Sequence, residues 1–111
     1  MRPDVKIRLV GERIFYGPGA HQLLSLTAEE GSLRGACSRM GVSYSKGRRI
    51  ISILEQQIGY PVMESRQGGK DGGYSVVTEE GRELIRRYDS FTAEASRKVQ
   101  ALFEEHFSDM L

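Results

Sequence analysis

The sequence predicts a mainly α-helical fold with a small β hairpin and one long terminal helix, and three observations carry that prediction. Two stretches of helical periodicity lie side by side, and each opens on a serine and closes on a glycine: Ser32 to Gly41, then Ser43 to Gly59. Hydroxyl N-caps and glycine stops mark two helices joined by a very short turn. Two short runs at 62–66 and 74–78 then flank Gly68, Gly69, Lys70, Asp71, Gly72 and Gly73, which reads as two strands around a solvated tip. From Glu79 nothing breaks a helical pattern before Ser108. Helix, turn, helix and hairpin in that order make a winged helix-turn-helix, with the hairpin as its β wing.

The elements follow in chain order. Val5, Ile7 and Leu9 alternate with Lys6 and Arg8, and after Gly11 and Glu12 comes Arg13, Ile14, Phe15 and Tyr16. This predicts an N-terminal β-hairpin with one exposed face, on which Lys6 and Arg8 have no assigned role. Gly17, Pro18 and Gly19 end it, and residues 20–30 form a helix that turns Leu23, Leu24 and Leu26 inward. In the next helix Leu33, Ala36, Cys37 and Met40 share a face. Cys37 is the sole cysteine, so no internal disulfide forms; its place on the apolar side makes it a core thiol, with redox sensing as the alternative.

The helix that starts at Ser43 has two unlike sides. At about 100° per residue, Gly47, Ile51, Leu54 and Ile58 fall together with Ile50 beside them, while Tyr44, Ser45, Arg48, Arg49 and Ser52 fall opposite. The cationic side is concentrated in the N-terminal half, where a recognition helix meets base edges and the helix dipole favours phosphate. Arginine suits that place because its planar fork can bond guanine bidentately. The candidate DNA-binding residues are therefore Ser43, Tyr44, Ser45, Lys46, Arg48, Arg49 and Ser52, with Arg66 and Lys70 on the wing.

On the long helix, Leu84, Tyr88, Phe91, Ala95, Val99, Leu102 and His106 recur at steps of three or four, and Ile85, Phe103 and Phe107 widen the stripe. So small a body cannot cover it all. The far half is expected to pair with its copy in a second subunit through Tyr88, Phe91, Ala95, Val99, Leu102 and Phe103, giving a two-fold dimer that reads an inverted repeat. An ordinary core helix folded back on the body is the alternative. The expected division is a DNA-binding domain at 1–78 and a dimerisation helix at 79–111.

Net charge of +1 hides an uneven distribution. Residues 1–76 hold 11 Lys and Arg against 7 Asp and Glu, whereas residues 77–111 hold 5 against 8. Positive charge gathers where phosphate would lie. A length of 111 residues makes one domain with a modest core. No apolar run approaches the roughly 18 residues of a membrane span, and the N-terminus has no signal-peptide core, so a cytoplasmic protein without membrane contact is expected. Catalytic constellations are missing: His21 and His106 stand alone in sequence, and the glycines around Lys70 lack phosphate-loop spacing. No enzyme activity and no cofactor are expected. A metal site would require the fold to bring His21 to His106 and Glu104 or Glu105.

The residues Gly31 and Ser32, Gly41 to Tyr44, Gly59 to Glu64, the glycines flanking Lys70, and Thr78 with Gly81 carry a resemblance. Over roughly residues 5–90 the chain resembles the N-terminal DNA-binding domain of ModE-type molybdate-responsive regulators, kin of the LysR-type winged helices. The resemblance implies that Ser43, Tyr44 and the next exposed residues meet DNA, with Lys70 on the wing. Full regulators of that family add paired barrels that bind molybdate or tungstate, and no such molybdate-binding domain is expected within these 111 residues. Arg48 and Arg49 stand where the family would have an aromatic or acidic pair, so a different operator is expected. The function so implied is sequence-specific regulation of transcription by a homodimer on double-stranded DNA. Two other readings are a protein-interaction module using Tyr44, Tyr60 and the C-terminal stripe, and a one-domain sensor in which a ligand or oxidised Cys37 shifts the long helix.

Overall fold

In the computed structural model, which describes residues 1–66 and 74–111, four helices and two separate antiparallel hairpins follow one another. The order is β1 (Leu9–Val10), β2 (Ile14–Tyr16), α1 (Pro18–Glu30), α2 (Leu33–Met40), α3 (Tyr44–Ile58), β3 (Met63–Arg66), β4 (Tyr74–Val77) and α4 (Glu79–Phe107), with a 3₁₀ turn over Ser108–Met110. Most of the chain is helical, the strands form two small hairpins, and the C-terminal helix is long.

Local chemistry sets the helix ends. The side chains of Ser32, Ser43 and Thr78 accept hydrogen bonds from the backbone N–H groups of Gly35, Lys46 and Gly81, each satisfying a donor left open at a helix start. Gly31, Gly41 and Gly59 end α1, α2 and α3 with φ between 70° and 84°, a left-handed conformation natural to glycine. The N-terminal hairpin is shorter than the alternation of residues 5–10 suggests. Only Leu9–Val10 pairs with β2, through a register shift, although Ile7 and Leu9 still turn toward the core and Lys6 and Arg8 outward. Helix α1 begins at Pro18 rather than Ala20, because proline at a first helical position needs no N–H partner.

The core is built where α1, α2 and α3 converge, from Leu23, Leu24, Leu33, Ala36, Cys37, Ile51 and Leu54. Its tightest point is Gly47. Any Cβ there would overlap the Cys37 sulfur and touch Leu33 and Leu23, so the absence of a side chain lets α3 close onto α2. Cys37 is thus a packing atom at a helix crossing, and burial pushes its thiol pKa upward against the opposing effect of a hydrogen bond from the Gly47 backbone.

Five hydrogen bonds, made by Ser75, Glu55 and Thr78, fix the β3–β4 hairpin beside that core. The Ser75 N–H donates to the Gly31 carbonyl at 3.1 Å, tying β4 to the turn between α1 and α2. Glu55 on α3 accepts from the Val62 N–H at 2.8 Å and, more weakly, from that of Met63 at 3.4 Å. Thr78 donates from its hydroxyl to the Pro61 carbonyl at 2.8 Å while its N–H donates to Val62. Gly81 permits this last approach, since a Cβ there would run into the Val62 carbonyl.

Helix α4 is anchored to the body along its first three turns, through Gly81, Leu84, Ile85 and Tyr88, and next to Tyr88 by a polar chain. Asp89 accepts from His21 at 2.6 Å, and His21 Nδ1 lies 2.6 Å from the buried Tyr16 hydroxyl. Burial above all, then Tyr88 and Asp89, push the Tyr16 pKa far up, so this hydroxyl stays protonated. A phenol at one end and a carboxylate at the other fit a His21 tautomer that accepts at Nδ1 and donates from Nε2. The Tyr16, His21 and Tyr88 rings pack edge-on or tilted at 4.5 to 5.6 Å. His21 is therefore not alone, and its partner is Asp89 rather than His106, which sits about 25 Å further along α4 by helical rise.

This geometry corrects the assignment of Tyr88 to a dimer surface. Tyr88 is 6 % exposed and its hydroxyl donates to the Ile7 carbonyl at 2.6 Å, so it belongs to the subunit's own core. Beyond it no residue of α4 is buried, and the helix does not fold back on the body.

Gly47→Ala is expected to destabilise the protein by about 1 to 3 kcal/mol through overpacking against Cys37, measured by denaturant unfolding. Full stability in that variant would mean the helix crossing tolerates a shift that the packing argues against. Tyr16→Phe, which leaves His21 Nδ1 without a donor, should cost about 1 kcal/mol in the same assay.

Candidate nucleic-acid interface

The exposed side of α3 is the candidate binding surface, because it carries charge that no carboxylate among the described residues neutralises. Ser45, Lys46, Arg48, Arg49 and Ser52 are exposed, and among the described residues Lys46, Arg48 and Arg49 pair with no carboxylate. The Ser43 hydroxyl is already used as the N-cap, accepting from Lys46 N–H at 3.1 Å. Consecutive arginines diverge by about 100° on a helix. Arg48 accordingly faces the hairpin, lining a groove with Ser52 and Met63, while Arg49 faces the other flank with Ser45 and Lys46.

Tyr44 does not stand free at the tip of α3. It is half-buried in a cleft of about 100 Å³ between the start of α2, the start of α3 and the hairpin, with Arg34, Arg66, Ser65 and Ser75 on the walls. The Arg34 guanidinium carbon lies 4.1 Å from the centre of the Tyr44 ring, a cation–π contact worth about 0.5 to 1 kcal/mol at an exposed site. Arg48 sits further away, 6.0 Å from the ring centre, with a long 3.5 Å contact to the hydroxyl. Arg66 shares the cleft but leans on Glu64 at 3.3 Å. Lys70 lies outside the described residues.

The fold also separates basic residues that composition counts alike. Arg39 is bound to Glu30 at 2.9 Å and contributes little free charge. Lys6 and Arg8, read from sequence as surface residues without a role, line a groove with Lys46, Ile50 and Ile53 and so extend the cationic flank of α3. Arg34 was legible only as one basic residue in a run; its stacking on a ring ten positions later depends on how α2 and α3 cross. Among the described residues, no group of three or more His, Cys, Asp or Glu is placed to hold a metal ion. Among the described residues, no helix is long and apolar enough to cross a membrane.

The predicted dimerisation residues other than Tyr88 lie along the unattached part of α4. Phe91 and Leu102 are each just over half exposed, Ala95, Val99 and Phe103 partly so, and Phe103 stacks on Phe107 with ring centres 5.1 Å apart. Phe91 also borders a hollow of about 300 Å³ with Tyr60, Leu9 and Leu84 at the root of the helix.

No family model matches the chain. Comparison with curated proteins finds similarity to a regulator and to molybdenum-pterin-binding proteins. The chain is 32% identical over 90 residues to the DNA-binding transcriptional dual regulator ModE of Escherichia coli (strain K12), covering 80% of this chain and 34% of ModE. It is 33% identical over 78 residues to the molybdenum-pterin-binding protein MopA of Rhodobacter capsulatus, covering 70% of this chain and 27% of MopA. For MopB of the same organism the figures are 30% over 83 residues, 75% and 30%. The chain thus spans about a third of the length of the curated relatives it matches.

A thiol reagent at mildly alkaline pH should leave Cys37 unmodified in the folded protein and label it fully in denaturant, since the thiol is buried and that burial pushes its pKa upward. Rapid labelling of the native protein would instead revive the redox-sensing alternative.

Proposed function

We propose that this protein is a sequence-specific, double-stranded-DNA-binding regulator of transcription and acts as a homodimer. In this reading α2 and α3 form a helix-turn-helix, β3 and β4 are the wing, and α3 enters the major groove. The observation that carries it is the exposed N-terminal half of α3, whose Lys46, Arg48 and Arg49 pair with no carboxylate among the described residues. Similarity to ModE over 80% of the chain supports the same reading.

The chemistry divides by flank. Arg48 on the hairpin side and Arg49 on the other side are the candidates for base edges, with Ser45 and Ser52 able to donate or accept beside them. Lys46, Lys6 and Arg8 form a cationic edge suited to phosphate, and Lys70 is proposed to add a backbone contact from the wing. Residues 79–111 supply the dimer contact through Phe91, Ala95, Val99, Leu102 and Phe103, which would place two copies of α3 on an inverted repeat.

A second reading is favoured by one feature, the apolar hollow bordered by Tyr60 and Phe91, the former 40 % and the latter 53 % exposed. It would suit an apolar segment of a partner protein, making the domain an interaction module. Salt separates the two readings, because phosphate contacts release counterions and apolar docking does not.

Arg48→Ala and Arg49→Ala are each expected to weaken binding to a selected operator by about 1 to 3 kcal/mol and to relax preference at one base position. Equal loss on every sequence would remove that arginine from base reading. Phe103→Glu, which puts a charge into the stripe, should shift the protein from dimer to monomer in sedimentation equilibrium and weaken binding to the full inverted repeat more than to a half-site. A monomeric wild type at working concentrations would refute the dimer.

A further inference from the structure

Arg34 is a cation of this face held close over an aromatic ring rather than by a carboxylate. Its guanidinium lies 4.1 Å over the Tyr44 ring, and among the described residues no carboxylate pairs with it. A guanidinium over a ring face can still offer N–H donors to an anion, since its five donors lie around the edge of its plane. Among the described residues, the two carboxylates beside the nearest walls are already paired. Glu30, behind the start of α2, is bound by Arg39 at 2.9 Å, and Glu64 on β3 by Arg66 at 3.3 Å. Arg34 lines a cleft of about 100 Å³ together with Ser65 and Ser75 of the hairpin. Its far wall is fixed relative to α2 by the hydrogen bond from Ser75 to Gly31.

We infer that this cleft seats one phosphodiester group of the DNA backbone, with Arg34 as its cation and Tyr44 as the platform that positions Arg34. The inference rests on the DNA-binding reading above and refines it in two respects. It adds Arg34, a residue of α2, to the contact set. It also makes Tyr44 a positioning residue, whose ring is occupied within the subunit. Arg48 meets the same residue more loosely, 6.0 Å from the ring centre and 3.5 Å from the hydroxyl. A phosphate held between α2 and the hairpin would fix how deeply α3 sits in the groove without itself carrying sequence information.

The test is the salt dependence of the full chain's affinity for a mixed-sequence duplex, measured for wild type, Arg34→Ala, Tyr44→Leu, Tyr44→Phe and Arg49→Ala, with thermal melts to confirm that each is folded. Loss of one phosphate contact should reduce the slope of log affinity against log salt by about 0.9. Arg34→Ala and Tyr44→Leu should both show that loss, and Tyr44→Phe, which keeps the ring face, should stay near wild type. A wild-type slope in Arg34→Ala, with salt-dependent binding by the wild type intact, overturns the phosphate seat and leaves the DNA-binding reading standing. Identical behaviour of Tyr44→Leu and Tyr44→Phe overturns the platform. Absence of any salt-dependent binding by the wild type overturns the seat and the reading together.

Discussion

The contact between Gly47 and Cys37 governs the geometry of everything that follows it. Two helices can approach this closely only where one of them lacks a side chain, and here the bare backbone of α3 rests on a sulfur of α2. That crossing sets the direction of α3 and brings its first residue, Tyr44, beneath Arg34 of α2. It also decides which side of α3 is covered. Ile51 and Leu54 follow Gly47 into the core at helical spacing, and the opposite side is left with arginine, lysine and serine. A bulkier residue at position 47 would tilt the helix, and the cationic flank would move with it.

The hairpin depends on this arrangement at one remove. Glu55 projects from the partly covered side of α3 and accepts from the backbone just before β3, so an acidic side chain in the basic region serves as a structural clamp. The second tie, Ser75 to Gly31, reaches back to the turn that precedes α2. The cleft around Tyr44 is thus closed by hydrogen bonds to backbone atoms from both ends, and its shape is a property of the fold as much as of the residues that line it.

Much of this was readable in the sequence because the signals were local. Serine and threonine caps, glycine stops and the periods of α2, α3 and α4 place those helices within a residue of where they lie. What escaped was set by contacts distant in sequence. His21 looks isolated until Asp89 arrives from 68 positions away, and Tyr88 reads as part of an outward stripe because the partner for its hydroxyl, Ile7, is 81 positions distant. Helical periodicity identifies the apolar side of a helix but not the point along it where its own subunit stops covering that side. The stacking of Arg34 on Tyr44 was hidden for the same reason, since a sequence shows both residues but not the angle at which their helices cross.

The attachment of α4 has a mechanical consequence. The helix is gripped near Tyr88 and Asp89, and from there to Phe107 it runs on for about 28 Å of helical rise with no residue buried against the described part of its own subunit. Such a cantilever magnifies small rotations at its clamp: a tilt of about 10° would carry the tip sideways by about 5 Å, close to one helical pitch. The rings of Tyr16, His21 and Tyr88 therefore act as an alignment bearing, and their tight, mutually tilted packing sets the angular tolerance of a tip that none of them touches.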